Sequence, residues 1–95
     1  MRKVRLLKPT ERKAIKRDIG AILKKTRGTF DCELTQKGLA KELKISQPKI
    51  SKLESGKQAI DIITLTNFSA YYNKPIFYFF PENAKSYFKI VNREE

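Results

Sequence analysis

The chain has 95 residues, 40% of them hydrophobic, and its 21 Lys and Arg against 10 Asp and Glu give a formal net charge of +11. This length is typical of one small domain, and the charge favours nucleic acid as a partner over an anionic membrane or a plain solvated surface. The chain has no His and a single cysteine, Cys32, which excludes His-dependent catalysis, an intramolecular disulfide and the usual metal sites.

The same counts bear on location. The longest apolar run, residues 76–80, is far shorter than the roughly 18 residues of a membrane span. A lone cysteine is typical of a reducing compartment. We therefore expect a cytoplasmic protein that has no cofactor, no metal and no membrane partner, and that is not an enzyme.

The N-terminal third carries most of the excess positive charge. Residues 1–27 contain 11 Lys or Arg and two acidic residues. Residues 1–9 are predicted to form an extended basic arm that ends at Pro9. Helical spacing then predicts a first helix over about 11–27, with Thr10 as its N-cap and Gly28 as its stop. The residues that recur at helical spacing are Ile15, Ile19, Ile22 and Leu23.

Two short helices follow a polar connection over residues 28–33. Thr35 and Ser46 are predicted to cap them, with a turn at residues 44–45 between them. Pro48 falls in the first turn of the second helix, where its missing N–H does no harm, and Gly56 ends that helix. The side chains predicted to face the core are Leu39, Ala40, Leu43, Ile45, Ile50 and Leu53.

A fourth helix is predicted from Asp61, as its cap, to Tyr72, and residues 73–75 break it. Residues 76–80 form a short fifth turn, and residues 82–95 fit either a helix or a strand. The residues predicted to be buried in the fourth helix are Ile62, Leu65, Phe68 and Ala70 or its neighbours.

This pattern predicts an all-α fold, a compact bundle of about five short helices. We expect three parts along the chain: the basic arm over 1–9, a DNA-binding domain over 10–81 and a C-terminal extension over 82–95. The middle part contains two short helices joined by a tight turn, which is a helix-turn-helix pattern.

The second helix of this pattern is predicted to bury one face and to present the other to the DNA major groove. The outward positions are 47, 48, 51, 52 and 55. Gln pairs with the N6/N7 edge of adenine and Lys with the O6/N7 edge of guanine, each good contact giving roughly 1–3 kcal/mol of discrimination. Gln47 and Lys52 are therefore candidate base-reading residues.

Residues 34–57, LTQKGLAKELKISQPKISKLESGK, resemble the lambda-repressor-like (Xre/Cro) helix-turn-helix family. A weaker similarity extends over about residues 11–81. The family pattern is matched in register by Thr35-Gln36, Leu39-Ala40, Ser46-Gln47, Ile50, Leu53, Glu54 and Gly56.

The resemblance implies a role for each matching position. Gln36 is expected to bind a DNA phosphate and to brace Gln47, which is expected to read an adenine. Pro48 and Lys52 fall on the other two base-facing positions, and Pro48 replaces the usual polar residue, so that contact becomes apolar. The implied DNA-binding residues are Thr35, Gln36, Ser46, Gln47, Pro48, Lys49, Ser51, Lys52 and Lys57.

The resemblance also explains an acidic residue in the last turn of this helix. In the family the carboxylate at the position of Glu54 turns inward, toward an Arg near the end of the first helix. Allowing for a connection about two residues longer than usual, the partner is Arg27. We expect this pair to hold the recognition helix against the first helix.

Two further surfaces are predicted to bind partners. Basic arms of this kind enter a groove of DNA or lie along its phosphates, so Arg2, Lys3 and Arg5 are candidate DNA contacts. Aromatic residues are concentrated near the C-terminus, where we predict a two-fold dimer interface. Its candidate residues are Phe77, Tyr78, Phe80, Tyr87 and Phe88.

These features predict a sequence-specific DNA-binding transcriptional regulator, acting as a homodimeric repressor on a two-fold operator in double-stranded DNA. The alternative is an antitoxin or another protein-interaction module whose aromatic C-terminal segment binds a partner protein.

Overall fold

The computed structural model describes residues 6–82 and residue 84. Four α-helices and one 3₁₀ turn follow in order: α1 (Pro9–Phe30), α2 (Gln36–Leu43), α3 (Gln47–Glu54), α4 (Ile62–Tyr72) and the turn Ile76–Phe79. No strand occurs in this part of the chain. The predicted all-α bundle of about five short elements is confirmed. The arm residues 1–5 and nearly all of the predicted extension lie outside the described residues.

Helix α1 begins earlier than the sequence predicts, at Pro9 and not after Thr10. Proline is favourable in a first turn because its fixed φ suits the helix. A backbone N–H at that position would have no partner within the helix, so its absence costs no hydrogen bond. Glu11 Oε1 then accepts the backbone N–H of Lys8 at 2.9 Å. Lys8 is therefore the cap, and Pro9 belongs to the helix and not to the predicted arm.

Helix α1 also continues past Gly28, which was predicted to stop it, and ends at Phe30. The Phe30 ring lies 5.3 Å from the ring of Tyr71 and 5.2 Å from that of Tyr72, measured between centroids. These aromatic contacts stabilise the last turn and extend the helix. The connection to α2 is consequently shorter than predicted and begins at Asp31.

The core is one cluster of side chains to which every element contributes. Helix α3 packs against both α1 and α2, so it is held from two sides. The fully buried side chains, in chain order from α1 to the 3₁₀ turn, include Leu23, Leu39, Ile50, Phe68 and Phe79.

The prediction of which α4 residues are buried is confirmed at two of its four named positions. Leu65 and Phe68 are buried, but Ile62 is 64% exposed and Ala70 is also exposed. The buried positions also include Thr64 and Tyr72, and at 100° per residue these four positions lie on one arc of the helix. Ala70 lies on the opposite side of the helix from that arc, and Ile62 lies roughly 60° beyond the end of the arc.

Helix α1 crosses the end of α3 with almost no space between their backbones. A Cβ added to Gly20 would lie 2.5 Å from the carbonyl oxygen of Leu53, and one added to Gly56 would lie 2.6 Å from Cα of Arg17. Gly56 also has φ +76°, a backbone conformation that glycine adopts without strain. Both glycines are needed for the two helices to approach this closely.

We predict that Gly20→Ala lowers the free energy of unfolding by about 1–3 kcal/mol, because the new methyl group meets backbone atoms that cannot rotate away. The matched control is Gly28→Ala on the same helix, where an added Cβ has no neighbour within 4 Å. That control is expected to raise stability by up to about 1 kcal/mol through helix propensity. Urea denaturation followed by circular dichroism measures both, and equal stability of the two variants would contradict the close crossing.

Candidate nucleic-acid interface

Two side-chain caps and one residue with a left-handed backbone conformation define the helix-turn-helix unit. Thr35 Oγ1 accepts the backbone N–H of Gly38 at 3.0 Å, and Ser46 Oγ accepts that of Lys49 at 3.2 Å. Both predicted caps are confirmed. Lys44 has φ 57° and redirects the chain between the helices. The hydroxyls of Thr35 and Ser46 therefore order the two helix N-termini.

The outward face of α3 forms one continuous surface. Gln47, Pro48 and Lys52 are exposed, whereas Ser51 is half-buried. We call the shallow depression they line the recognition surface; its volume is about 400 Å³. Its complete lining is Gln47, Pro48, Ser51, Lys52, Ser55 and Lys57. The structure thus brings together all five predicted outward positions and adds Lys57 from the following loop.

Gln47 is held in place by a chain of hydrogen bonds. Its Nε2 donates to Gln36 Oε1 at 2.9 Å. Gln36 Nε2 in turn donates to Glu54 Oε1, also at 2.9 Å. The amide of Gln36 therefore joins the exposed start of α3 to its buried last turn.

Glu54 receives an Arg27 guanidinium in a two-pronged contact. Arg27 Nε donates to Glu54 Oε2 at 2.8 Å, and Nη2 donates to Oε1 at 3.0 Å. The Glu54 side chain is 2% exposed and that of Arg27 is 16% exposed. The structure thus places the expected partners in contact and away from solvent, and the hydrogen bonds to Glu54 raise the pKa of Arg27 despite its partial burial.

The third prong of Arg27 extends this arrangement to the connection before α2. Its Nη1 donates to the carbonyl oxygen of Leu34 at 2.8 Å. One guanidinium therefore links α1 to the approach of α2 and to the end of α3. The position of Gln47 on the surface is determined by this buried group as well as by the core.

Lys49 differs from the other predicted contact residues because its side chain points toward α4. Its Nζ lies 3.5 Å from Thr64 Oγ1 and 3.7 Å from Asp61 Oδ2. Asp61 also accepts the backbone N–H and the hydroxyl of Thr64, and these hydrogen bonds lower the pKa of Asp61. Sequence reasoning identified Asp61 only as a cap and missed its contact with Lys49.

Tyr72 was also missed by sequence reasoning. Its hydroxyl is buried and has no hydrogen-bond partner among the described residues. Burial raises the pKa of Tyr72, and the nearby Glu54 carboxylate adds to this effect. The sequence offers no signal for this burial, since Tyr72 packs against rings that are distant in sequence, among them Phe30.

The arm candidates Arg2, Lys3 and Arg5 and the interface candidates Tyr87 and Phe88 lie outside the described residues. Of the aromatic candidates that are described, Phe77 is 41% exposed, Tyr78 is 40% exposed and Phe80 is half-buried. Across residues 6–82 and 84, no cluster of His, Cys, Asp and Glu is arranged to hold a metal ion, and no helix has the length and apolar character needed to cross a membrane.

We predict that Glu54→Ala lowers the free energy of unfolding by about 3 kcal/mol, because it leaves the Arg27 charge largely buried without its carboxylate. The matched control is Asp18→Ala, which breaks a pair on the surface of α1, where the Arg17 side chain is 70% exposed. That change is expected to cost less than about 1 kcal/mol. Thermal and urea unfolding measure both, and similar losses for the two variants would contradict a structural role for the buried pair.

A helix-turn-helix family model matches residues 23–79, more than half of the chain. The matched segment runs from the second half of α1 to the 3₁₀ turn and includes the whole recognition surface. No curated protein matches the chain. The chain belongs to the Xre, lambda-repressor-like helix-turn-helix family of DNA-binding transcription regulators.

Proposed function

We propose that the protein is a repressor that binds a specific double-stranded DNA operator as a homodimer and acts by occupying that site. The observation that carries this proposal is the hydrogen-bond chain that connects exposed Gln47, through Gln36, to buried Glu54. The ordered side-chain amide of Gln47, on the exposed face of α3, is suited to a bidentate contact with adenine. No catalytic step is part of the proposed function.

The recognition surface combines different kinds of readout. Gln47 presents an amide, Lys52 an ammonium group and Pro48 an apolar ring, all exposed on α3. These groups are suited to adenine, guanine and the thymine methyl group, respectively. Ser51 and Lys57 flank them and are suited to the DNA backbone.

Affinity is expected to come mainly from the net charge of +11. Lys and Arg that neutralise phosphates release counterions, so the binding constant falls steeply as salt is added. We propose that Arg2, Lys3 and Arg5 supply part of this sequence-independent attraction. Lys49 is proposed as a weaker contributor, because its ammonium already contacts Asp61 and Thr64.

The dimer is supported by exposed aromatic side chains in the 3₁₀ turn. Phe77 and Tyr78 each leave about two fifths of their surface exposed on a small domain. A two-fold pairing through this region would present two recognition helices to half-sites about one helical turn apart. We propose that Phe80, Tyr87 and Phe88 complete this interface.

The same aromatic residues support the second candidate function, an antitoxin or other protein-interaction module. In that case Phe77 and Tyr78 would bind a different protein and the domain would not need a second copy. The two functions differ in oligomeric state, which light scattering measures directly.

We predict that Lys52→Ala relaxes specificity at one base position, with roughly 1–3 kcal/mol of discrimination removed there, because the ammonium group no longer reaches a guanine edge. Selection of bound duplexes from a random pool measures this change. Lys24→Ala is the matched control, since Lys24 is exposed on α1 and does not line the recognition surface. A specificity profile for Lys52→Ala that matches both the parent and this control would show that the recognition surface is wrongly assigned.

Replacing Arg2, Lys3 and Arg5 together with Ala is predicted to weaken binding to all sequences alike. The slope of log K against log salt should become shallower by roughly 0.9 for each DNA phosphate that the arm no longer neutralises. Fluorescence anisotropy at several salt concentrations gives this slope. An unchanged slope would remove the arm from the interface.

The homodimer is predicted to appear in size-exclusion chromatography with light scattering as twice the chain mass of 11.1 kDa. Phe77→Asp should shift the equilibrium to the monomer, because a charge would be buried at the apolar interface. Ile63→Asp is the control, since Ile63 on α4 is 72% exposed and is no part of the proposed interface. A strict monomer at high micromolar concentration would refute the homodimer and favour the second candidate function.

A further inference from the structure

Among the described residues, an apolar groove that is open to solvent lies between the N-terminal half of α1 and the loop that follows α3. Its volume is about 920 Å³. The floor of the groove is made by Leu7, Ile15, Ile19 and Ile60, all of which remain half-buried. The apolar surface that these side chains still expose to water would be buried by an apolar occupant, and that burial is favourable.

The groove exists because α1 extends well beyond the point where it crosses α3. The crossing is at Gly20 and Gly56, and α1 begins eleven residues before it, at Pro9. This extension is about 16 Å long at 1.5 Å per residue. Among the described elements, α1 packs mainly on α3 and the 3₁₀ turn. The extension also precedes residues 23–79, the segment that the family model matches.

The rim of the groove is strongly basic. Of the sixteen residues that line it, five are Lys or Arg and none is acidic. Arg12, Lys16 and Lys57 are among these five, and within the described part of the chain no ion pair involves any of them. An occupant with acidic groups on either side of an apolar stripe would match both the floor and the rim.

We propose that this groove binds an acidic amphipathic segment of a partner protein, with its apolar side chains on Ile15 and Ile60 and its carboxylates on Arg12 and Lys16. Helix-in-groove docking of this kind uses anchors at helical spacing. Basic groups around an apolar groove favour an acidic partner and speed its association.

Charge selects this occupant over the others. A second copy of the chain has a predominantly basic surface, and the aromatic residues proposed for the homodimer do not line this groove, so a second copy complements the basic rim poorly. The chain's own residues 85–95 contain three basic residues and two acidic ones, so they do not complement the rim either. DNA phosphates would match the rim but would leave the apolar floor uncovered.

The groove adjoins the recognition surface. Ser55 and Lys57 line both. An acidic segment that reaches Lys57 would therefore compete with a DNA phosphate for the same ammonium group. This competition, unlike the docking itself, rests on the proposed DNA-binding function.

The probe for the test is a fluorescein-labelled synthetic peptide that has Leu at positions i, i+3, i+4 and i+7 and Glu at its other positions. Two peptides serve as controls: one has Lys in place of every Glu, and one has the same composition in scrambled order. Anisotropy measured on the full chain at physiological salt and without DNA should show binding of the acidic amphipathic peptide only. Amide chemical shifts of the complex should change mainly at residues 12–19 and 57–60.

The double variant Arg12→Glu, Lys16→Glu should weaken this binding by at least about tenfold, since both rim charges are reversed. The matched control is Lys24→Glu, Lys25→Glu, which makes the same change in net charge on exposed positions of α1 outside the groove. Circular dichroism checks that both variants fold. Equal weakening in the two would show general charge attraction and overturn the proposal.

Three other results would also overturn it. In the first, the scrambled peptide binds equally well, or shift changes centre on residues 47–52. In the second, the shifts of Ile15 and Ile60 in the protein alone depend on its concentration, which would identify a second copy as the occupant. In the third, nuclear Overhauser contacts in the dilute full chain join residues 85–95 to Ile15. Because the peptide is tested without DNA, failure of the groove leaves the proposed repressor function untouched, and the reverse also holds.

Discussion

The buried carboxylate of Glu54 is the group on which the arrangement of α3 depends. It accepts hydrogen bonds from two nitrogens of Arg27 and from the amide of Gln36. A charge that is almost fully removed from water needs such partners, since its hydration is lost on folding. The same three donors come from α1 and α2, so satisfying the charge of Glu54 also fixes α3 relative to both.

The value of this buried pair lies in geometry more than in net stability. Desolvation of a carboxylate and a guanidinium largely offsets their attraction, and apolar residues of similar size often stabilise a fold equally well. Contacts between two apolar side chains, however, do not fix the orientation of either side chain. The two donors of the Arg27 guanidinium fit only one orientation of the Glu54 carboxylate. The Gln36 amide bound to that carboxylate then fits only one orientation of Gln47. The pair therefore specifies a pose for an exposed side chain about one helix length away.

Local chemistry and a family pattern made much of this fold predictable. The caps at Thr35 and Ser46 are signalled within three residues of each helix start, and the Arg27–Glu54 pair follows from the family resemblance. The end of α1 at Phe30 and the exposure of Ile62 were not predictable in this way, because each depends on contacts with residues distant in sequence. The contact of Lys49 with Asp61 and the basic groove arise for the same reason, as properties of how helices cross.

Because α1 crosses the end of α3 at Gly20 and Gly56, the position of α3 does not depend on which residues its exposed face carries. At this crossing the two backbones touch directly. The distance between the helices is therefore not set by the size or shape of a side chain. Gln47, Pro48 and Lys52 take no part in that contact. Under the proposed function, exchange of a few outward side chains would change the DNA target, while the backbone contact at Gly20 and Gly56 would leave the placement of α3 unchanged.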